Sequence, residues 1–476
     1  MPKFLSCRTV VHAAVAVAGL VGVGAAVAQD RDSAILKRGA DLATAGDCVA
    51  CHTAPGGKAF AGGLVISSPM GGIVSSNITP DKTTGIGEYT ESDFAKALRQ
   101  GIRKDGAHLY PAMPYPSYSA ITDADIHAMY EYFMHGVQPV TQTNPKTGLN
   151  FPFNIRAMMI GWNLLFGGPS PKTLDAQHMS QIERGRYLAD ALEHCGTCHT
   201  PRNFLLAERG SEYLGGATLA GWYAPNITSS VRSGIGDWSE GDLVQYLRSG
   251  SVPGRSQAAG MMGEAIEHSL SKLSDDDLHA IAVYIKQVPA IENSPGDRAR
   301  DRYGSAQSIL DIQKPKLDRE DALFPMDGKR IYVNNCAACH GLDGAGAADH
   351  FTPSLFSNAV VGAPNPDNLI MAIVHGVDRD ANGQHVLMPG FGPDSDVQRL
   401  SDRDVANLVN YLTETFGSGD HHVTADYVLT ARNGGPLPGL VRNLPYLVSG
   451  VMVAVLTVIA LIVLWVMRRA RRAIID

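Results

Sequence analysis

Cys48-Val49-Ala50-Cys51-His52, Cys195-Gly196-Thr197-Cys198-His199 and Cys336-Ala337-Ala338-Cys339-His340 are the stretches whose reading decides the fold. C-x-x-C-H is the attachment signature of a c-type haem. Two thiols on one helical turn can add across the two vinyl groups of the porphyrin, and the next residue then places its imidazole beneath the iron. The spacing assigns Cys48, Cys51, Cys195, Cys198, Cys336 and Cys339 to the covalent bonds, and His52, His199 and His340 to the metal. A zinc site would bring cysteine pairs together, yet these pairs lie about 140 residues apart and each has its own histidine. A redox-active C-x-x-C needs a βαβ context, and a structural disulfide would not select histidine. The sequence therefore predicts three covalently bound haem c groups, each with its iron.

The surroundings repeat with the motifs. A helical stretch with a glycine precedes each one: Lys37-Arg38-Gly39-Ala40-Asp41-Leu42, Glu183-Arg184-Gly185-Arg186-Tyr187-Leu188 and Asp327-Gly328-Lys329-Arg330-Ile331-Tyr332. An amphipathic segment follows each one, running from Thr122 to Tyr130, from Ser274 to Tyr284 and from Ser401 to Tyr411. Each starts with Ser or Thr and carries Asp three residues on, the pattern of a helix N-terminus. Each unit thus reads as helix, motif, long loop and terminal helix, and the period suits tandem domains rather than a solenoid. The domains are expected at 29–138, 179–292 and 320–418, joined by linkers at 139–178, 293–319 and 419–444. The first two share more: Asn77-Ile78-Thr79 through Gly85-Ile86-Gly87 matches Asn226-Ile227-Thr228 through Gly234-Ile235-Gly236.

A haem iron held below by histidine needs a ligand above, and methionine there raises the potential. The loop ahead of each terminal helix offers Met113 in Tyr110-Pro111-Ala112-Met113-Pro114, and Met388 in Val386-Leu387-Met388-Pro389-Gly390. In the second unit Met262 lies 63 residues past His199, comparable to the 61 between His52 and Met113, but Met261 beside it leaves the choice open. His375, His385 and His268 are rival ligands, whereas His194, His127 and His279 read as solvent-facing. The linker 139–178 is too apolar around 158–166 to run free, so it packs on the second domain or meets a partner. The polar stretch 293–319 reads as a solvated connector.

The two ends indicate the compartment. Residues 1–28 have Lys3 and Arg8, an apolar run and Ala26-Val27-Ala28, the pattern of a cleaved signal peptide that would remove Cys7. Near the other end, 446–467 holds 22 residues without a charge, followed by Arg468, Arg469, Arg471 and Arg472. At ~1.5 Å per residue that run reaches about 33 Å, enough for a hydrocarbon core of ~30 Å. A single transmembrane helix at 445–467 is expected, with the arginine tail 468–476 cytoplasmic and the haem domains periplasmic. The whole chain has 40 basic and 47 acidic residues. That balance excludes nucleic acid as a partner. The outer portion is more acidic, with 34 basic and 46 acidic residues, so an anionic lipid surface repels it and the helix must supply the anchoring.

These motifs together resemble the tri-haem cytochrome c subunit of bacterial membrane-bound, quinone-linked dehydrogenases, a family acting on alcohols, aldehydes, gluconate and fructose. The resemblance implies a mostly α fold of three class I cytochrome c domains. It also implies that the methionine two residues after Gly260, Met262, is the second unit's ligand. As partners it implies a catalytic dehydrogenase subunit, a small third subunit and ubiquinone as electron acceptor. A single C-terminal span departs from members that hold the membrane by surface helices. The residues themselves support a relay, because capped irons leave no open position for a substrate and no hydrolase or phosphate-binding motif occurs. The competing readings are a cytochrome c donor to a terminal oxidase and a catalytic multihaem enzyme with one open iron.

Overall fold

The computed structural model describes residues 33–168, 179–308, 327–419 and 421–475. The segment 1–28, expected to be a signal peptide, lies outside them. The described chain is mostly helical, with four small antiparallel sheets. Around each motif a leading helix crosses a terminal helix. The leading helices cover 33–45, Gln181–Arg186 continuing as a wider turn through Leu192, and Gly328–Asn335. The terminal helices are Asp123–Glu131, Asp275–Ile285 and Asp402–Phe416. Each begins where the sequence places it: the Thr122, Ser274 and Ser401 side chains accept from the backbone N–H of Asp125, Asp277 and Asp404.

The glycine ahead of each motif is what lets the two helices touch. A Cβ on Gly39 would sit 2.0 Å from the Ala128 carbonyl oxygen, one on Gly185 1.9 Å from that of Ala280, and one on Gly328 2.1 Å from that of Asn407. A tyrosine closes over each crossing: Tyr132, Tyr284 and Tyr411. In the first unit this is Tyr132 and not Tyr130. Tyr130 lies on another face, donating to the Tyr89 carbonyl at 3.1 Å and packing edge-on against Phe94.

The first two units share one apolar core, running from Leu42 and Phe94 through Leu188 and Leu192 to Ile281 and Ile285. The Tyr187 hydroxyl ties them further, donating to the fully buried Asp125 carboxylate at 2.6 Å, which also takes Arg38. The third unit has its own core around Ile331, Ile370 and Val409. It reaches the second through the hairpin of strands Val377–Ala381 and Gln384–Met388, whose buried Arg379 donates to the Ala258 carbonyl.

Two linkers depart from their expected character. Residues 293–308 are largely exposed yet tied to the second unit: Asp301, 2 % exposed, pairs with Arg255 at 2.8 Å, and Asp237 takes both Arg255 and Arg302. In the linker 139–178, helix Met158–Phe166 lies mainly on the first unit. There Asn163 bonds the Gln100 carbonyl, His108 and the Tyr115 hydroxyl, while Trp162 donates to the Leu205 carbonyl of the second unit at 3.0 Å. Ile160, Leu164 and Leu165 are left exposed. The last helix runs Leu444–Ile475; its part Leu444–Arg468 is long and apolar enough to cross a membrane, and none of it is buried.

Candidate functional site

Each motif forms one short helical turn: Cys48–Cys51, Cys195–His199 and Ala337–His340. The two thiols of a motif are thereby brought to neighbouring positions, and all six are free. Burial pushes the thiols of Cys48 and Cys336 up to about 12 and that of Cys51 up to about 11. They stand as neutral thiols.

All three motif histidines are held alike. His52 Nδ1 meets the Ser76 carbonyl at 2.7 Å, His199 Nδ1 the Pro225 carbonyl at 2.7 Å, and His340 Nδ1 the Pro353 carbonyl at 3.0 Å. A carbonyl only accepts, so each Nδ1 carries the proton and each Nε2 keeps its lone pair. Burial lowers all three below the ordinary histidine value, which keeps the rings neutral. This is the arrangement that orients and strengthens an imidazole ligand to iron. The carbonyls were not singled out in the sequence, yet a signal was there: Ser76 and Pro225 immediately precede the two Asn-Ile-Thr segments. In those segments the asparagine carboxamide oxygen takes the threonine N–H, at 2.9 Å in Asn77 and 2.8 Å in Asn226. The asparagine side chain also ties the loop to the Val140 or Ile291 carbonyl. The third unit has no such segment and uses Pro353 with Ser354, whose hydroxyl donates to the Phe356 carbonyl.

One cavity of about 430 Å³ connects the second and third motifs. Cys195, Cys198 and His199 line it together with Cys336, Cys339 and His340, and Met261, Met262 and Met388 lie in the same wall. Met262 packs against the shared core; the core residues do not include Met261. His375, His385 and His268 are not among the described residues that line this cavity, and His385 pairs with Asp378 at 2.7 Å. Met113 packs half-buried against the first unit's core, beside which Cys48 also lies. His127 and His279 are exposed and pair with Glu91 and Glu240. His194 is not solvent-facing: its ring packs on Tyr118 at 5.6 Å, and burial lowers it to about 4. Tyr118 in turn donates to the Gly46 carbonyl beside the first motif at 2.8 Å. The second motif thus stands between the other two.

Free thiol pairs, carbonyl-locked imidazoles and an apolar chamber walled with methionine fit covalently attached haem, and they define the class as c-type cytochrome. Among the described residues no cluster of three or more His, Cys, Asp or Glu is gathered for a bare ion. The cytochrome c family model matches residues 36–136 and 325–416. The chain is 46 % identical over 449 residues to the fructose dehydrogenase cytochrome subunit of Gluconobacter japonicus, covering 92 % of this chain and 91 % of that one. It is 41 % identical to the alcohol dehydrogenase (quinone) cytochrome c subunit of Gluconacetobacter polyoxogenes, covering 90 % of each chain. It is also 41 % identical to the gluconate 2-dehydrogenase cytochrome c subunit of Pantoea cypripedii, covering 83 % of this chain and 89 % of that one. The chain belongs to this family of dehydrogenase cytochrome c subunits, haem-carrying proteins of electron transfer.

Proposed function

We propose that the chain carries three haem c groups, in cytochrome c domains at 29–138, 179–292 and 320–418, and relays electrons from a catalytic dehydrogenase subunit to ubiquinone. A small third subunit completes the complex. The haems are attached at Cys48 and Cys51, Cys195 and Cys198, and Cys336 and Cys339. Iron would be held by His52 and Met113, by His199 and Met262, and by His340 and Met388. Bound haem supplies a one-electron couple at iron. The chain's own part is to fix the imidazoles by their Nδ1 hydrogen bonds and to cap the irons with methionine sulfur. It also keeps water away with the apolar wall. The observation that carries this reading is the same Nδ1-to-carbonyl bond at all three motifs, 2.7 to 3.0 Å long. Substrate chemistry belongs to the partner, because capped irons only exchange electrons.

The chain is exported, with Leu444–Arg468 as a single-pass anchor in the inner membrane and the haem domains on the periplasmic side. The test is to purify the subunit with its partners from gently solubilised membranes. The bound haem per chain is then counted, and ethanol, acetaldehyde, gluconate and fructose are each tried as reductants. Three haems, reduced by one of these substrates and reoxidised by a ubiquinone analogue, are expected. Fewer haems, or no reduction by any substrate in a preparation containing a polytopic oxidase, would overturn the reading and favour the oxidase donor.

A further inference from the structure

The segment between the second and third motifs brings a charge to the cavity that the relay does not use. Arg300 lines the chamber, the only lysine or arginine among the described residues that does so. Its Nη1 donates to the Asn226 carbonyl at 3.2 Å and the Ser233 carbonyl at 3.0 Å, both neutral acceptors. The acids nearby are already engaged: Asp301 pairs with Arg255, and Asp237 with Arg255 and Arg302. Among the described residues no carboxylate lies within ion-pair distance of Arg300 itself. Glu193, the one acid among the described residues of the lining, accepts from the Ser269 hydroxyl at 2.8 Å, and burial raises it well above the usual carboxylate range, so it stands neutral. The tyrosines in the wall, Tyr223, Tyr246 and Tyr332, are likewise held neutral by burial. Arg300 is half-buried at the chamber wall, where burial lowers its pKa and Asp301 and Asp237 act on it without touching it; a guanidinium drawn from water with no direct counter-charge is costly. The fold keeps it in place firmly, since a Cβ on Gly362 of the third unit would sit 2.1 Å from the Arg300 carbonyl oxygen and Ser357 donates to the Tyr303 carbonyl at 2.8 Å.

We propose that Arg300 binds a carboxylate of the haem held at Cys195 and Cys198, forming a guanidinium–propionate pair that the second unit cannot make from its own residues. The assignment to this haem follows from the anchoring. Asn226, whose carbonyl takes Arg300, directly follows Pro225, whose carbonyl takes His199 Nδ1. An arginine fork matches a carboxylate in geometry and charge, and a planar pair of this kind is stronger than a neutral hydrogen bond. The pair neutralises one propionate beside the second haem. With the cation removed, the unpaired negative charge favours the oxidised iron and lowers the reduction potential. The second haem's place in the relay is therefore set by a residue of the connector.

This inference rests on the reading of the motifs as haem sites, and the experiment separates the two. The full complex is made with Arg300→Gln, Arg300→Lys and, as control, the more exposed Arg302→Gln. The haem count is taken first, and Met262→His identifies which reduction step belongs to the second haem. Spectroelectrochemical titration of Arg300→Gln is expected to shift that step alone to lower potential, with Arg300→Lys restoring part of the shift and Arg302→Gln leaving it unmoved. The propionate bending mode in resonance Raman spectra shifts with it. Three haems with no step moved, all steps moved together, or the third haem's step moved instead would each overturn the proposal. Absence of haem at Cys195 and Cys198 would overturn the underlying reading. Should Arg300→Gln fail to assemble, Arg300→Lys alone decides, because it keeps the charge but not the planar fork and so still predicts a smaller downward shift of the same step.

Discussion

At the scale of single residues, the positions just ahead of the first two motifs are under unusual constraint. Asp47 and His194 both adopt left-handed backbone, with φ of 48° and 39°, so that the chain turns sharply into the motif helix. Asp47 Oδ1 is buried without a hydrogen-bond partner. Its carboxyl is raised to about 7 by burial first, then by the negative charge of Glu264, against a lowering by Lys272. A carboxyl with its native value above the unfolded value binds more protons in the native state between the two. Its contribution to stability is present below about 4 and is lost as pH rises toward about 7. Asp47→Asn keeps a residue that tolerates left-handed backbone and removes the titration. The melting temperature of the native chain should therefore fall, relative to Asp47→Asn, as pH is raised from 5 toward 8. A constant gap between the two across that range would mean that Asp47 is ionised in the fold throughout.

At the scale of elements, the crossing of leading and terminal helices is the repeated unit of this fold, and glycine is its condition. Gly185→Ala puts a methyl group 1.9 Å from a backbone oxygen and 2.8 Å from Tyr284 Cβ, and neither can swing aside. Overpacking of this kind costs typically about 3 kcal/mol. Denaturation of the purified protein should show a loss of that order, and an unchanged midpoint would mean the helices do not cross there. The glycines, the three caps and the motifs were all visible in the sequence, because each rests on one residue type at a fixed offset. What escaped was set by packing between segments far apart in the chain. Tyr130 lies in the last turn of the terminal helix and Tyr132 just past its end, and only the crossing tells which one covers Gly39. His194 looked like any polar histidine until Tyr118, 76 positions earlier, was found against its ring. In the connector 293–308, Asp301 and Arg302 pair with Arg255 and Asp237 of the second unit, which composition alone cannot distinguish from solvation.

At the scale of the whole molecule, two kinds of apolar surface are candidates to hold the body at a membrane. The acidic body is repelled by anionic lipid, while the helix Leu444–Arg468 offers a full hydrocarbon span. Apolar side chains are also exposed on the body, among them Leu164, Leu165 and Phe204, and Phe204 lies near the foot of that helix, for a Cβ on Gly439 would come 3.5 Å from it. Fully burying one such side chain contributes about 1.5–3 kcal/mol, so a few of them give only a reversible contact, whereas some twenty apolar residues in a span give permanent insertion. An alkaline carbonate wash strips contacts of the first kind and leaves the second. The full chain should stay with the membrane after that wash, and a chain ending at Asn443 should appear in the supernatant with its haems intact. Retention of the shortened chain would shift the anchoring to the apolar side chains exposed on the body and leave Leu444–Arg468 without that role.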